Sequence, residues 1–151
     1  MLDSTDKQHF ARTLPDYLQP FPPDEAEARQ IMGYVTLRSM CEGILKLFFS
    51  VYWETYNKDA DAPRDKNNTS EPPQSVTFER LIVLYAKKAD RKFDDFLRRV
   101  QQRGNAIHHF IDRDIGTQDE LIADITTLLT FLLAVNGKLP YPDDIYDPAR
   151  A

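Results

Sequence analysis

The run Arg103-Gly104-Asn105-Ala106-Ile107-His108-His109-Phe110 brings together an arginine, a primary amide and two of the chain's three histidines. An arginine grips a phosphate through a planar fork of donors, and histidine exchanges a proton near neutral pH. The chemistry within reach of such a set is phosphate handling or RNA cleavage. An Arg-to-His spacing this short also recurs by chance. Its meaning depends on the elements that carry it.

Those elements read as helices. Residues 1–23 form a polar arm punctuated by Pro15, Pro20, Pro22 and Pro23, with room for a short helix near residues 5–13. Asp24 follows two prolines and has Glu27 three residues on, a helix start. From there to about Asn57, Ile31, Val35, Leu37, Cys41, Ile44, Leu45, Phe48, Tyr52 and Tyr56 keep helical spacing. Gly33 and Gly43 would allow a bend or a close crossing. Residues 57–75 are charged, Asn-rich and carry Pro63, Pro72 and Pro73, so they read as a flexible loop. Thr77 is the next N-cap. Phe78, Ile82, Tyr85, Ala89, Phe93, Phe96, Val100, Gly104, Ile107 and Ile111 then step by threes and fours, which predicts one helix of about nine turns. Thr117 and Glu120 form a capping box for a last helix with a face of Leu121, Ile125, Leu128, Leu132 and Val135, ending at Asn136-Gly137. The expected fold is an all-α, up-down bundle over 24–137, with three long helices, a shorter N-terminal helix and a tail at 138–151.

Within that frame the Arg103 cluster lies near the end of the nine-turn helix. Arg103 and His108 should flank the apolar stripe on opposite sides, while Asn105 and His109, four apart, share the face away from it. Gly104 costs about 1 kcal/mol of helix stability relative to alanine, so it points to a close backbone approach or a local break. Between Glu79 and Arg103 there are eight cations against four acids, a local +4 in a chain of net charge -5. A cationic helix leading to the cluster would attract a phosphate backbone. Ion pairs at helical spacing, Asp94 with Arg98 and Asp95 with Arg99, would neutralise it instead.

A helical bundle with Arg103, Asn105, Ile107 and His109 near its last hairpin resembles the HEPN superfamily, whose hallmark is an arginine, four to six residues, then a histidine. Arg103 to His108 has four intervening residues and Arg103 to His109 has five. The family run Asn-x-Ile-x-His is matched by Asn105, Ile107 and His109. Gly104 departs from the commonest form, in which Asn directly follows Arg. The resemblance implies a metal-independent endoribonuclease in a toxin or phage-defence setting, with RNA as substrate and a homodimer that brings two motifs face to face. By the same resemblance Arg103 would hold the scissile phosphate, His109 or His108 would move the proton, and Asn105 would orient the histidine or the phosphate. The alternative within the same resemblance is a non-catalytic module that binds a protein or nucleotide partner. The acidic net charge and Gly104 favour it.

The remaining composition narrows the classes. Apolar residues make up 42% and charged residues 28%, ordinary globular material. Cys41 is the single cysteine, so no intramolecular disulfide can form and a buried thiol is expected. No Cys/His zinc spacing exists, and Asp143, Asp144 and Asp147 lack a regular ligand spacing, so neither metal nor cofactor is expected. Asp112, Arg113 and Asp114 read as a solvated loop. The aromatic run from Phe48 to Tyr56 reads as core or interface. With no apolar leader and no membrane-length apolar run, the expected setting is cytoplasmic.

Overall fold

The computed structural model describes residues 25–108 and 114–140. These form an all-α bundle of five helices: α1 (Glu25–Val51), α2 (Trp53–Lys58), α3 (Phe78–Lys88), α4 (Asp94–Gly104) and α5 (Gln118–Asn136). Among the described residues the extended chain makes a single bridge, Arg64 with Ser70. The expected N-terminal helix and the Asp24 cap lie outside the described residues.

α1 buries Ile31, Tyr34, Leu37, Cys41, Leu45 and Phe48, the three- and four-residue stride of one helical face. It breaks at Tyr52, and α2 carries the chain one and a half turns further. The connection that follows, expected to be a flexible loop, is fastened to the bundle. Asp65 accepts from the backbone N–H groups of Asn67 and Thr69, the Tyr56 hydroxyl donates to the Glu71 carbonyl, and Ala62, Ser70 and Pro73 are buried.

The nine-turn helix is two helices. Phe78, Ile82, Tyr85, Phe93, Phe96, Val100 and Gly104 are all inward, yet the chain reverses between Ala89 and Asp94. Asp90 is extended (φ -157°, ψ 116°) and its side chain accepts from the Lys92 N–H, capping a short 3-10 turn, Arg91–Phe93. The reversal packs α4 antiparallel to α5, with Phe93 on Phe131 and Arg99 reaching Asp124. α3 runs in the same sense as α1: Phe78 lies beside Arg38 and Tyr85 beside Phe48.

α5 opens on the expected capping box, with both reciprocal Thr117–Glu120 bonds formed, and stops at Gly137. Its buried face is Leu121, Asp124, Leu128, Phe131 and Val135. Ile125 is 44% exposed and Leu132 only half buried, so the face is turned from the expected one. Phe131 wins because it completes an aromatic cluster with Tyr85, Phe93 and Phe96 at centroid distances of 5.2 to 6.2 Å. Asp124 wins because its charge has partners inside. α5 runs parallel to α1, with Leu121 against Gly33 at one end and the Tyr52 hydroxyl donating to the Lys138 carbonyl at the other. Among the described residues no helix is long and apolar enough to cross a membrane.

Candidate functional site

Arg103 does not flank the core; it is in it, at 7% exposure. α4 can deliver it there because Gly104 lets the helix press directly on α1. A Cβ at Gly104 would stand 2.5 Å from the Cβ of Arg38 and 2.9 Å from the Tyr34 carbonyl oxygen. The glycine is therefore a close crossing, and it is also the last residue of α4, where the α-helix gives way to a 3-10 turn. Past it, Asn105–His108 continues as a 3-10 turn. Asn105 is half buried and serves as the C-cap residue of α4. His108 closes the turn, and His109 lies outside the described residues, as do Asp112 and Arg113.

The Arg103 guanidinium is engaged on several sides. Nη1 donates to the Tyr34 hydroxyl at 2.8 Å, and Nη2 to Asp114 at 3.2 Å and to Glu120 at 3.4 Å. Asp124 is 3.9 Å away, and the guanidinium carbon lies 5.2 Å from the Tyr34 ring centroid. Gly116, at φ +71°, shapes the opposite wall: a Cβ there would fall 2.5 Å from Nη1. Gln30 holds that wall in place by donating its amide to the carbonyls of Ile115 and Thr117 at 2.9 and 2.8 Å.

Behind Arg103 lies Asp124, only 2% exposed. It accepts from the Tyr34 hydroxyl at 2.7 Å and, bidentately, from Arg99. Burial pushes the Asp124 carboxyl up, but the hydrogen bonds from Arg99 and Tyr34 outweigh it and hold it below the usual range. Burial, and then its donation to Asp124, pushes the Tyr34 hydroxyl up to about 12. Burial would lower Arg103, but hydrogen bonds to Tyr34 and Asp114 raise it on balance. The order of donation is thus Arg103 to Tyr34 to Asp124, each proton fixed by the next acceptor. Removing one member of such a buried set leaves the others unpaired, which costs about 3–5 kcal/mol.

Arg103 also forms one edge of a polar cleft of about 490 Å³ lined by Asp95, Arg98, Arg99, Gln102 and Asp114. A phosphate taking Arg103 from this side would have to displace Asp114 and Glu120, both of them exposed. The wider cationic stretch is likewise committed. Arg80 pairs with Glu71, Lys87 with Asp61, Lys88 with Asp59 and Asp61, Arg98 with Asp94, and Arg99 with Asp124. With Arg103 that is six of the eight cations, and most of their acids come from the 59–71 connection and α5. The local +4 is a property of the sequence window and not of the surface.

The spacing had no means of naming Tyr34, Arg99, Glu120 or Asp124, which lie on three helices. One signal was available: Asp124 is a lone acid within the apolar run of α5, and a charge there requires a cation from elsewhere. Among the described residues no group of three or more His, Cys, Asp or Glu is arranged to hold a metal.

The apolar surface is where the bundle is unfinished. On α5, Ile122, Ile125, Leu129 and Leu133 are 44–73% exposed. On α1, Met40, Leu47 and Val51 are 43–56% exposed. At about 100° per residue, both sets lie on the outer side of the seam where Leu121 meets Gly33, so they share one face of the molecule. Comparison with known proteins found no matching family model, no matching curated protein and no matching solved structure.

Proposed function

We propose that this chain is a non-catalytic helical interaction module that docks a protein partner through the outer face of α1 and α5. The observation that carries the reading is α5 itself. No charged residue occurs from Ile125 to Gly137, and its solvent side presents branched apolar side chains over three turns. A helix apolar on both sides is ordinarily covered on both sides, and exposed patches beyond a few hundred Å² mark interaction sites. The partner of matching chemistry is a protein surface that is itself apolar and uncharged. The Arg103 network supports the same reading, because its donors are occupied by Tyr34, Asp114 and Glu120.

A second reading, a metal-independent ribonuclease of the HEPN type, has the polar cleft in its favour. Arg98, Arg99, Gln102 and Arg103 line it, and the turn bearing Asn105 and His108 follows directly. Labelled RNA incubated without metal separates the two. The interaction reading expects no cleavage by the wild type, and a lowered unfolding midpoint in Arg103→Ala. Cleavage by the wild type that vanishes in His108→Ala or His109→Ala, with folding intact, would establish the nuclease and displace the module.

A further inference from the structure

A cavity opens at the end of the bundle away from Arg103, where two helices break. α1 stops at Val51 and α2 begins after Tyr52, while α3 ends at Lys88 and the chain turns away at Ala89. The space left between them is about 350 Å³, within the size range of small-molecule sites, about 300–1,000 Å³. Phe48, Phe49, Tyr52 and Tyr56 line it on one side, with Leu84 and Ala89 from the end of α3. The rings brace one another. Phe48 lies 5.2 Å from Phe49 and 5.1 Å from Tyr52, and Phe49 lies 5.6 Å from Tyr56, centroid to centroid. Such a wall is formed before any ligand arrives. Both phenol protons are engaged elsewhere, Tyr52 donating to the Lys138 carbonyl and Tyr56 to the Glu71 carbonyl. The wall therefore offers ring surface and no free hydroxyl proton.

The charged residues of the lining are Asp59, Lys88 and Lys138. Asp59 is satisfied by Lys88 at 2.9 Å and by the Asp61 N–H at 2.9 Å. Asp61 pairs with Lys87 at 2.6 Å and with Lys88 at 2.7 Å. These two acids and two lysines balance. Lys138 forms no ion pair among the described residues, although its backbone is tied to the wall through Tyr52. We infer that this cavity binds a small aromatic anion, its ring body against the Phe48–Tyr56 wall and its carboxylate at Lys138. Aromatic walls also take organic cations, but here two lysines against one acid oppose a cation at the rim. The site is separate from the α1–α5 docking face, since Phe49 stands about 200° of helix away from both Leu47 and Val51.

Three probes with the same rings and different charge test this: 2-naphthoate, 2-naphthylmethanol and 2-naphthyltrimethylammonium, titrated into the isotope-labelled full chain and followed by amide chemical shifts. Naphthoate is expected to saturate at one molecule per chain and to move the amides of Tyr52, Thr55, Ala89 and Lys138. It should bind about threefold tighter than the alcohol, the scale of one partly exposed ion pair, and the ammonium ion should bind more weakly than either. Lys138→Met keeps the aliphatic stem at an exposed position, so it should fold normally. In it naphthoate should fall to the affinity of the alcohol, with the alcohol unchanged. Leu129→Glu, on the docking face, should bind naphthoate as the wild type does. The inference is overturned by no saturable binding at millimolar concentration, by equal affinity for all three probes, or by Lys138→Met keeping the naphthoate preference. Shifts centred on Leu129 and Leu133 overturn it as well, because they assign the probe to the docking face. A preference for the ammonium ion also overturns it, and makes the wall a cation cage.

Discussion

Gly104 and Arg103 are adjacent, and the structure gives one to contact and the other to charge. Helix propensity alone favours Gly104→Ala by about 1 kcal/mol. Contact opposes it, because the new methyl would meet the Arg38 Cβ and the Tyr34 carbonyl at under 3.0 Å. Backbone cannot yield as a flexible side chain can, so Gly104→Ala is expected to destabilise by about 1–3 kcal/mol. Denaturant titration checks the sign, and a stabilised variant would mean that α4 does not press on α1. From sequence alone Gly104 pointed either to a close approach or to a local break, and it is both, lying against α1 and ending α4. The inward turn of Arg103 gave no such signal. Its acceptors are 69 residues away at Tyr34 and 17 away at Glu120, and spacing along one helix carries no information about acceptors on another.

At the scale of elements, the helices were legible from periodicity and the break between α3 and α4 was not. Both sides of the break bury the same stride of residues, so the apolar pattern runs through it unaltered. The polar residues held the information. Lys87 and Lys88 fall in the last turn of α3, and Asp94 and Asp95 in the first turn of α4. Cations at the end of one helix and acids at the start of the next suit two macrodipoles and not one. Asp90 between them is the cap that starts the reversal. Asp90→Ala is expected to cost about 1 kcal/mol, the usual value of a side-chain cap, measured as a lower unfolding midpoint. Faster amide exchange at Lys92 should accompany it. A continuous α3–α4 helix would leave both unchanged. α5 was misread for a related reason: Leu and Ile occur on both of its sides, so periodicity could not choose between Ile125 and Phe131, and the buried Asp124 decides the rotation.

For the molecule as a whole, three buried protons set the alkaline limit of stability. Burial, and the field of Asp124, push the Cys41 thiol from its ordinary 9.0 up to about 12. Burial, followed by Asp124 for Tyr34 and Asp90 for Tyr85, takes both hydroxyls from 10.0 to about 12. Each group binds its proton more tightly folded than unfolded, so its contribution is complete below the unfolded value and lost as pH rises towards the folded one. Unfolding midpoints should therefore hold to about pH 9 and then fall towards pH 12. In Cys41→Ala the decline should begin nearer pH 10, where the tyrosines take over. A midpoint flat to pH 12 would mean that these groups are solvated. The spread of the three over α1 and α3 makes this limit a property of the packed bundle and not of one site.

Trp53 is the chain's one tryptophan, and its ring lies on that of Tyr56 at 5.7 Å, inclined by 28°. It sits 19 residues along from Tyr34, about 28 Å of helix at 1.5 Å per residue. Tryptophan emission, excited selectively, therefore watches one pole of the bundle and is blind to the pole where Arg103 is tied down. A variant can keep a native emission spectrum while its Arg103 end has come loose. Hydrogen exchange at the amides around Tyr34 and Asp124 is the second clock, and where the two clocks disagree the bundle is melting from one end.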